Sequence, residues 1–228
     1  MNVEDFIIYE DAAFIAFNKS APLPSQPDPT GDKSLWEYAD EYLGQKSYLL
    51  HRLDRPTSGV ILFAKTEQAA ALVSQQFQNR ETQKSYLAVV ENAPLSMEGD
   101  LVHFLIENAE KNKVFVDKNT KSGAKRAELH YILRGSSDRY HLLEIELKTG
   151  RHHQIRAQLA AIGCPIKGDV KYGARRANHD RSIHLHAWKL TFWQPFLKKK
   201  VSLIAELPNE TLWQFFNTIV KNADSIRE

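Results

Sequence analysis

The stretch LLHRLDRPTSGVILFAKT, residues 49–66, places one carboxylate, Asp54, among three basic residues, directly ahead of a Pro-Thr-Ser-Gly turn and an apolar run. The basic residues are His51, Arg52 and Arg55. Residues 59–65 predict a buried strand, and Arg55, which precedes a proline, is driven toward extended geometry. We therefore expect Asp54 to project from a bend at the edge of a sheet.

A carboxylate surrounded by bases permits more than one interpretation. Asp54 can neutralise Arg52 or Arg55 or cap the turn, or it can serve as a nucleophile or base that nearby positive charge keeps ionised. A two-metal nuclease needs several carboxylates, but Asp54 is the only acid in residues 49–66. The stretch argues against a hydrolytic metal site and leaves the structural and catalytic interpretations open.

Length and composition indicate an ordinary globular protein. The chain has 228 residues, of which 43% are hydrophobic and 25% charged, enough apolar material for a core. Because no repeat or Gly/Ser linker interrupts it, we expect one domain over residues 1–228. It contains no apolar run of ~18 residues and begins with the acidic MNVEDFIIYED, which predicts a cytoplasmic protein without a membrane segment. The single cysteine, Cys164, excludes an internal disulfide.

Charge and motifs narrow the classes of ligand. The net charge is only +2, but basic residues gather in residues 111–126, 167–181 and 198–200, where they form either a face for a polyanion or solvated surface. The chain carries no phosphate-binding glycine loop of the Walker or dinucleotide type, so no nucleotide cofactor is indicated. His152-His153 and His184-x-His186 are chemically able to bind a metal, but such histidines are more common in strands and on polar surfaces.

Hydrophobic periodicity predicts a mixture of short strands and helices. The predicted strands are FIIYED, FIAFNK, residues 59–65 and 84–91, the alternating run through Ala127, Leu129, Tyr131 and Leu133, YHLLEIELK and LHAWKLTF. The predicted helices are SLWEYADEYL with Asp32 or Ser34 as cap, one capped by Thr66 that buries Ala69, Leu72, Val73 and Phe77, HHQIRAQLAAIGCP, and NETLWQFFNTIVKNA with Asn209 as cap and Leu212, Phe215, Phe216 and Ile219 facing inward. Because strands outnumber helices without alternating strictly with them, the fold class is α+β.

A second polar cluster lies in TGRHHQIR. The pattern places Arg151 and His152 at the start of a helix, with Arg156 one turn beyond His152 on the same side. The first turn of a helix attracts phosphate or carboxylate, and Arg156 is then able to reach Asp54. An amphipathic helix with basic residues facing solvent is the alternative.

Several segments together resemble the RluA-type pseudouridine synthases. HRLDRPTSG, KSYLAVV and TGRHHQIRAQLAAIGCPIKGDVKYG resemble family motifs, LHAWKLTF fits the strand that follows, and the order holds from YEDAAFIAFNK to about residue 195. The resemblance implies a pseudouridine synthase fold: a mixed, largely antiparallel central β-sheet flanked by helices and loops, with a catalytic cleft along the sheet.

The resemblance also implies a reaction, the isomerisation of specific uridines in tRNA or rRNA to pseudouridine by a monomer without cofactor or metal. Asp54 would be the nucleophile, either attacking the ribose or assisting a glycal-type intermediate, and Arg156 would pair with it. Tyr86 would stack on the uracil and assist proton removal from C5. The uridine must leave its stack, and Arg52 would fill the vacated space or contact phosphate. The predicted RNA-binding residues are His51, Arg52, Arg55, Lys84, Arg151 and His153.

The chain departs from the family pattern in two places. NKSAPL has Ser20 where a proline is usual, which affects the shape of that loop, and Gln158 stands where a histidine is common, so we expect altered substrate contacts at most. No S4-like RNA-binding domain is expected ahead of the first strand. The alternative functions are a catalytically silent RNA-binding or folding factor on the same scaffold and a metal-dependent hydrolase. The presence of Asp54, Tyr86 and Arg156 together favours the enzyme.

Overall fold

The computed structural model describes residues 2–117 and 123–224, so part of the basic segment 111–126 lies outside the described residues. The described strands are β1 (Ile7–Glu10), β2 (Phe14–Lys19), β3 (Tyr48–Leu49), β4 (Ser58–Ala64), β5 (Gln83–Val90), β6 (Glu98–Asn108), β7 (Lys113–Asp117), β8 (Lys125–Ser136), β9 (His141–Leu147), β10 (Leu185–Gln194) and β11 (Lys199–Ile204). The described helices are α1 (Leu35–Leu43), α2 (Glu67–Asn79), α3 (Gln154–Ala161) and α4 (Thr211–Asp224), with short 3₁₀ turns at Val3–Phe6 and Val170–Tyr172. This content confirms the α+β class.

The chain divides into two compact units. The first comprises Met1–Lys84 and His186–Pro208, and the second comprises Ser85–Leu185 and Asn209–Glu228. The expectation of one domain over residues 1–228 stays a prediction. None of the described helices combines the length and the apolar character needed to cross a membrane.

The strands of the first unit are arranged around β4. Strand β4 pairs antiparallel with β2 and β3 and parallel with β10, while β1 extends β2 and β11 extends β10, both antiparallel. All seven residues of β4 are buried, which confirms the predicted buried strand. The predicted strands FIIYED and FIAFNK form an antiparallel hairpin, β1 with β2. Its turn is closed by Asp11, whose Oδ1 accepts hydrogen bonds from the N–H groups of Ala13 (2.8 Å) and Phe14 (2.7 Å).

Gly59, the glycine of the predicted Pro-Thr-Ser-Gly turn, lies inside strand β4 with φ of +113°. A Cβ at this position would lie 2.2 Å from the carbonyl oxygen of Ala187 in β10. The absence of a side chain therefore lets two parallel strands come together where the Asp54 segment enters the sheet.

Caps define α1 and α2. Ser34, one of the two predicted caps, forms a capping box with Glu37, and Thr66 accepts a hydrogen bond from the N–H of Ala69 (3.2 Å). Ala69 and Val73 are buried as predicted, but Leu72 is 40% exposed, so its assignment to the inner face is wrong. The described residues of α2 bury a stripe narrower than the predicted one.

The second unit contains an antiparallel series of strands in the order β5, β9, β8, β6, β7. The alternation that predicted β8 and β9 is confirmed by complete or nearly complete burial of Ala127, Leu129, Leu143 and Ile145. The hairpin of β6 and β7 was not predicted, because polar residues interrupt the apolar pattern of both strands.

Helix α3 begins later than the sequence suggested. It starts at Gln154, after His153 with φ of +50°, so Arg151 and His152 precede the first turn. The side chain of Gln154 explains the start, because its Oε1 accepts hydrogen bonds from the backbone N–H of Arg151 (3.0 Å) and the hydroxyl of Thr149 (2.7 Å). The segment before the helix is thereby held as a turn.

Helix α4 also differs in its cap and its buried face. Glu210, not Asn209, accepts hydrogen bonds from the N–H groups of Leu212 (3.0 Å) and Trp213 (3.2 Å). Trp213, Phe216 and Val220 are buried, whereas the predicted inward residue Phe215 is 54% exposed. The inward position of Phe216 is confirmed and that of Phe215 is wrong, because the surface that the helix packs against decides which apolar residues are covered.

Candidate active site

Asp54 lies in a loop of the first unit, residues 50–57, which we call the Asp54 loop. The carbonyl oxygen of Asp54 accepts a hydrogen bond from the N–H of Thr57 (2.9 Å), which closes the predicted turn. Asp54 is half-buried, whereas Leu53 and Thr57 on either side are buried. The backbone of the loop is thus anchored, while Asp54 as a residue keeps partial exposure to solvent.

Lys19, at the end of β2, places a buried cation near Asp54. Its ammonium donates hydrogen bonds to the carbonyls of Ser20 (3.1 Å), Leu23 (2.7 Å) and Arg55 (3.2 Å). Burial lowers the pKa of Lys19 to about 7, against the attraction of the Asp54 carboxylate, and the charge of Arg55 lowers it further. Lys19 belongs to the NKSAPL segment, and no role was predicted for it from the sequence.

Ser58 and His186 hold the end of the Asp54 loop. The Ser58 hydroxyl lies 2.8 Å from Nδ1 of His186, and Nε2 of His186 lies 3.3 Å from the carbonyl oxygen of Ala205. Burial lowers the pKa of His186 to about 4, so the ring is neutral near pH 7. Because only a protonated Nε2 bonds to a carbonyl, Nδ1 accepts from Ser58.

Neither histidine of His184-x-His186 has the surroundings of a metal ligand. His184, in the second unit, is buried against the ring of Trp213, with ring centres 5.3 Å apart. Its Nδ1 lies 3.1 Å from the amide of Asn178, and its Nε2 lies 3.0 Å from the carboxylate of Glu210. The ring nitrogens of both histidines are used in hydrogen bonds within their own units.

His51 and Lys84, two of the predicted RNA-binding residues, meet at Phe77 in the first unit. Nε2 of His51 accepts a hydrogen bond from the N–H of Leu62 (3.1 Å), and its ring stacks on Phe77 at 5.1 Å. The Lys84 ammonium lies 5.7 Å from the Phe77 ring centre. Burial, helped by the charge of Lys84, lowers the pKa of His51 to about 3, so His51 offers RNA no positive charge near neutral pH.

Arg52 and Arg55 flank Asp54 with different surroundings. Arg52 is exposed, as its predicted contact with RNA requires. Arg55 instead forms ion pairs with Asp28 (3.3 Å) and Asp32. The charge of Arg55 is therefore compensated by acids that sequence reasoning did not single out.

In the second unit, Arg156 forms a two-pronged ion pair with Asp169. Nε lies 2.7 Å from Oδ2 and Nη2 lies 2.9 Å from Oδ1, and both side chains are at least 95% buried. The guanidinium carbon lies 5.0 Å from the ring centre of Tyr172. Asp169 and Tyr172 come from the quoted GDVKYG segment, which was the available signal for them.

Tyr172 also fixes the turn before α3. Its hydroxyl lies 3.0 Å from Nδ1 of His153 and accepts a hydrogen bond from the N–H of Val114 (2.8 Å). His153 is buried, whereas Arg151 is exposed and donates from Nε to the carbonyl of Arg126 (3.4 Å). Of these two predicted RNA contacts, Arg151 is the accessible one.

Tyr86 is a strand residue of the second unit. It lies in β5 opposite Ile145 of β9 and is 9% exposed. Asp54 belongs to the first unit, and Tyr86 and Arg156 belong to the second. Their predicted assembly into one catalytic centre, including the pairing of Arg156 with Asp54, stays a prediction.

Gln158, the noted departure from the family pattern, is fully buried in α3. Its Nε2 lies 3.0 Å from the carbonyl of Leu101, 3.3 Å from that of Ala127 and 3.2 Å from Nδ1 of His103. The side-chain amide of Gln158 thus links helix α3 to strands β6 and β8. We expected altered substrate contacts at most; within the second unit the change is accommodated by packing.

Comparison with known proteins defines the class. Residues 13–161 match the family model described as RNA pseudouridylate synthase, a span that contains Asp54, Tyr86 and Arg156. The chain therefore belongs to the RNA pseudouridylate synthase family, as its motifs suggested.

Individual relatives cover most of the chain. A Haemophilus influenzae protein named tRNA pseudouridine synthase C is 33% identical, over 91% of this chain and 94% of the relative. A Rickettsia bellii protein named ribosomal large subunit pseudouridine synthase C is 32% identical, over 94% of this chain and 71% of the relative. A solved structure of human RNA Pseudouridylate Synthase Domain Containing 4 superimposes with a TM-score of 0.76 at 25% identity, covering 96% and 93% of the two chains.

Proposed function

We propose that this protein isomerises specific uridines in structured tRNA or rRNA to pseudouridine, with Asp54 as the nucleophile. Family membership and relatives named for tRNA and for large-subunit rRNA support this function. The observation that carries the role of Asp54 is its setting: the residue is half-buried between the buried Leu53 and Thr57, and its carboxylate attracts the buried ammonium of Lys19. A pure RNA-binding factor has no need of an acid held in this way.

The reaction rearranges bonds without adding or removing atoms. The bond between N1 of uracil and C1′ of ribose breaks, the base turns, C5 bonds to C1′, the proton on C5 leaves and N1 gains a proton. Asp54 acts either by attacking C1′ or by assisting a glycal-type intermediate. In both routes an anionic carboxylate must lie beside the sugar.

Arg156 is proposed to orient Asp54. Asp169 accepts hydrogen bonds from Nε and Nη2 of the guanidinium, a planar group with five N–H donors in a fixed geometry that suits carboxylates. The buried pair with Asp169 fixes the plane of the guanidinium. A donor held in this way loses little entropy when it binds Asp54.

Tyr86 and Arg52 are proposed to act on the flipped nucleotide. The strand position of Tyr86 gives its ring a fixed orientation, which suits stacking on uracil and proton transfer at C5. The exposed Arg52 fills the space left in the RNA stack, while Lys84 and Arg151 contact phosphates.

The experiment follows the proton that leaves C5. The substrates are tRNA and large-subunit rRNA from cells that lack this protein, labelled with tritium at C5 of uridine. The wild-type protein should release tritium, whereas Asp54→Asn and Asp54→Ala should slow release by at least about a thousandfold with RNA affinity retained. Mapping pseudouridine in the same RNAs identifies the site.

Two controls separate the alternatives. Normal tritium release by Asp54→Asn would falsify the catalytic role of Asp54, whereas binding of RNA by the wild type without any tritium release would leave the silent RNA-binding factor. EDTA should leave the rate unchanged, because no step requires a metal. Cleavage of the RNA that stops with EDTA and returns with a divalent metal would instead support the metal-dependent hydrolase.

A further inference from the structure

Ser25 binds both backbone groups of Leu53, the residue immediately before Asp54. Its hydroxyl donates to the Leu53 carbonyl (2.8 Å) and accepts from the Leu53 N–H (3.1 Å), across 28 positions of sequence. Both residues are buried. Because one hydroxyl is donor and acceptor at once, a single side chain sets the position of the backbone that enters Asp54.

Arg55, the residue immediately after Asp54, contacts the same segment of the chain as Leu53 does. Nη1 of Arg55 donates to Thr30 Oγ1 (2.6 Å) and lies 3.3 Å from Asp28 Oδ2, and Nη2 pairs with Asp32. All three partners, like Ser25, belong to residues 20–33, which we call the proline-rich loop. The two neighbours of Asp54 therefore contact one segment.

The proline-rich loop is itself anchored. The backbone N–H groups of Leu35 and Trp36 donate to the carbonyls of Pro24 (2.9 Å) and Ser25 (3.2 Å), which ties the loop to the start of α1. The loop contains four prolines, each of which restricts φ and limits the conformations that compete with the observed one. The loop is therefore a restricted segment that is able to fix the positions of Leu53 and Arg55, the residues it contacts.

We propose that the proline-rich loop is a positioning clamp for Asp54, in which Ser25, Arg55, Asp28 and Asp32 are positioning residues for uridine isomerisation. The proposal rests on the proposed function of Asp54. A reacting carboxylate must be held within about 0.5 Å of its productive position. When Leu53 and Arg55 are held in place, the position of the Asp54 carboxylate depends mainly on the side-chain torsions of Asp54, which other contacts must set.

The clamp gives Arg55 a different role from the predicted RNA contact. One guanidinium and two carboxylates carry a net charge of −1, which has the wrong sign for attracting phosphate. The side chains are also partly solvated, at 32%, 27% and 57% exposed for Arg55, Asp28 and Asp32. Exposed ion pairs of this kind contribute little to the stability of the fold. Removing them is therefore expected to lower kcat for uridine isomerisation and to change stability little.

The first test uses Ser25→Ala, with Ser47→Ala as the matched control. Ser47 is also a buried serine, and its hydroxyl bonds to Asp40 (2.6 Å) away from the Asp54 loop. Both variants should lower the melting temperature similarly. Only Ser25→Ala should lower kcat for tritium release, by about tenfold, with the Kd for the labelled tRNA or rRNA unchanged. Equal kcat values for the two variants would overturn the role of Ser25.

The second test compares Arg55→Ala with the double variant Asp28→Asn, Asp32→Asn. The clamp predicts that both lower kcat, also by about tenfold, and that neither changes the salt dependence of RNA binding. A phosphate contact predicts that Arg55→Ala weakens binding, reducing the salt slope by about one, and that the double variant tightens it. If Arg55→Ala weakens RNA binding, the double variant tightens it and both keep the wild-type kcat, the positioning role of Arg55 is overturned.

Asp54→Asn, measured in parallel, separates the two levels of inference. If Asp54→Asn reacts at the wild-type rate, the proposed function fails. If Asp54→Asn is inactive while the Ser25, Arg55 and double variants retain wild-type kcat, the function stands and the clamp alone is overturned.

Discussion

Arg156 and Asp169 form a buried ion pair through two parallel hydrogen bonds, Nε to Oδ2 at 2.7 Å and Nη2 to Oδ1 at 2.9 Å. The partners are 13 residues apart, one in α3 and the other just before a 3₁₀ turn. A buried pair is costly to break, because removing one partner leaves the other charge poorly solvated.

The ion pair predicts a large loss of stability in Asp169→Asn. We expect the free energy of unfolding in urea to fall by about 3 kcal/mol. The control is Asp100→Asn, since Asp100 pairs with His130 but its side chain is 75% exposed; it should cost less than about 1 kcal/mol. Equal losses in the two variants would contradict the buried pairing.

Lys19 predicts that stability rises with pH above neutrality. Burial lowers the pKa of Lys19 to about 7 in the folded protein, from the 10.5 of an exposed lysine in the unfolded chain. Between these values the unfolded chain binds more protons, so stability increases with pH and is lost as the pH falls through 7. Relative to Lys19→Met, the wild type should gain about 2 kcal/mol between pH 7 and 9, measured by urea unfolding. Lys200→Met, at an exposed position, should parallel the wild type.

His186 predicts a loss of stability in acid. Burial lowers its pKa from 6.5 to about 4, so between these values the unfolded chain binds the additional proton. Stability should fall as the pH drops from 6.5 toward 4, by up to about 1.4 kcal/mol per pH unit for this group. His186→Gln should flatten the profile in thermal unfolding, whereas His179→Gln at an exposed position should not. A profile unchanged by His186→Gln would rule out this origin.

Gly59 predicts a strong effect of one added methyl group. In Gly59→Ala the Cβ would meet the backbone of Ala187 at 2.2 Å, so β4 and β10 must separate, and we expect a loss of at least about 3 kcal/mol. Gly44 also has a positive φ, but its Cβ would have no neighbour within 4 Å. Gly44→Ala should therefore cost only about 1 kcal/mol. Comparable unfolding free energies for the two variants would argue against the close approach of the strands.

Local pattern predicted much of the secondary structure and failed where burial depends on distant surfaces. The caps at Ser34 and Thr66 are local hydrogen bonds, so they were readable. The buried face of α4 was readable only in part: Phe215 and Phe216 are equally apolar and were both predicted to face inward, and only packing decides that Phe216 alone is buried. The β6–β7 hairpin was not predicted for a related reason: in partly exposed strands, apolar and polar residues alternate only weakly.

The candidate site divides in the same way. The motif around Asp54 and its resemblance to a family identified the reaction and the residues proposed to carry it out. The neighbours that hold those residues were invisible in the motif: Asp169 for Arg156, Ser25 for Leu53 and Lys19 for the carbonyl of Arg55.

By itself the sequence determined the α+β class, the buried strand after Asp54 and the family, because periodicity, caps and motifs are properties of neighbouring residues. Only the tertiary structure decided that Ser58 bonds His186 across 128 positions and that the charge of Arg55 is compensated by Asp28 and Asp32. Hydrogen bonds and desolvation depend on which surfaces meet in space, and chain order leaves that choice open.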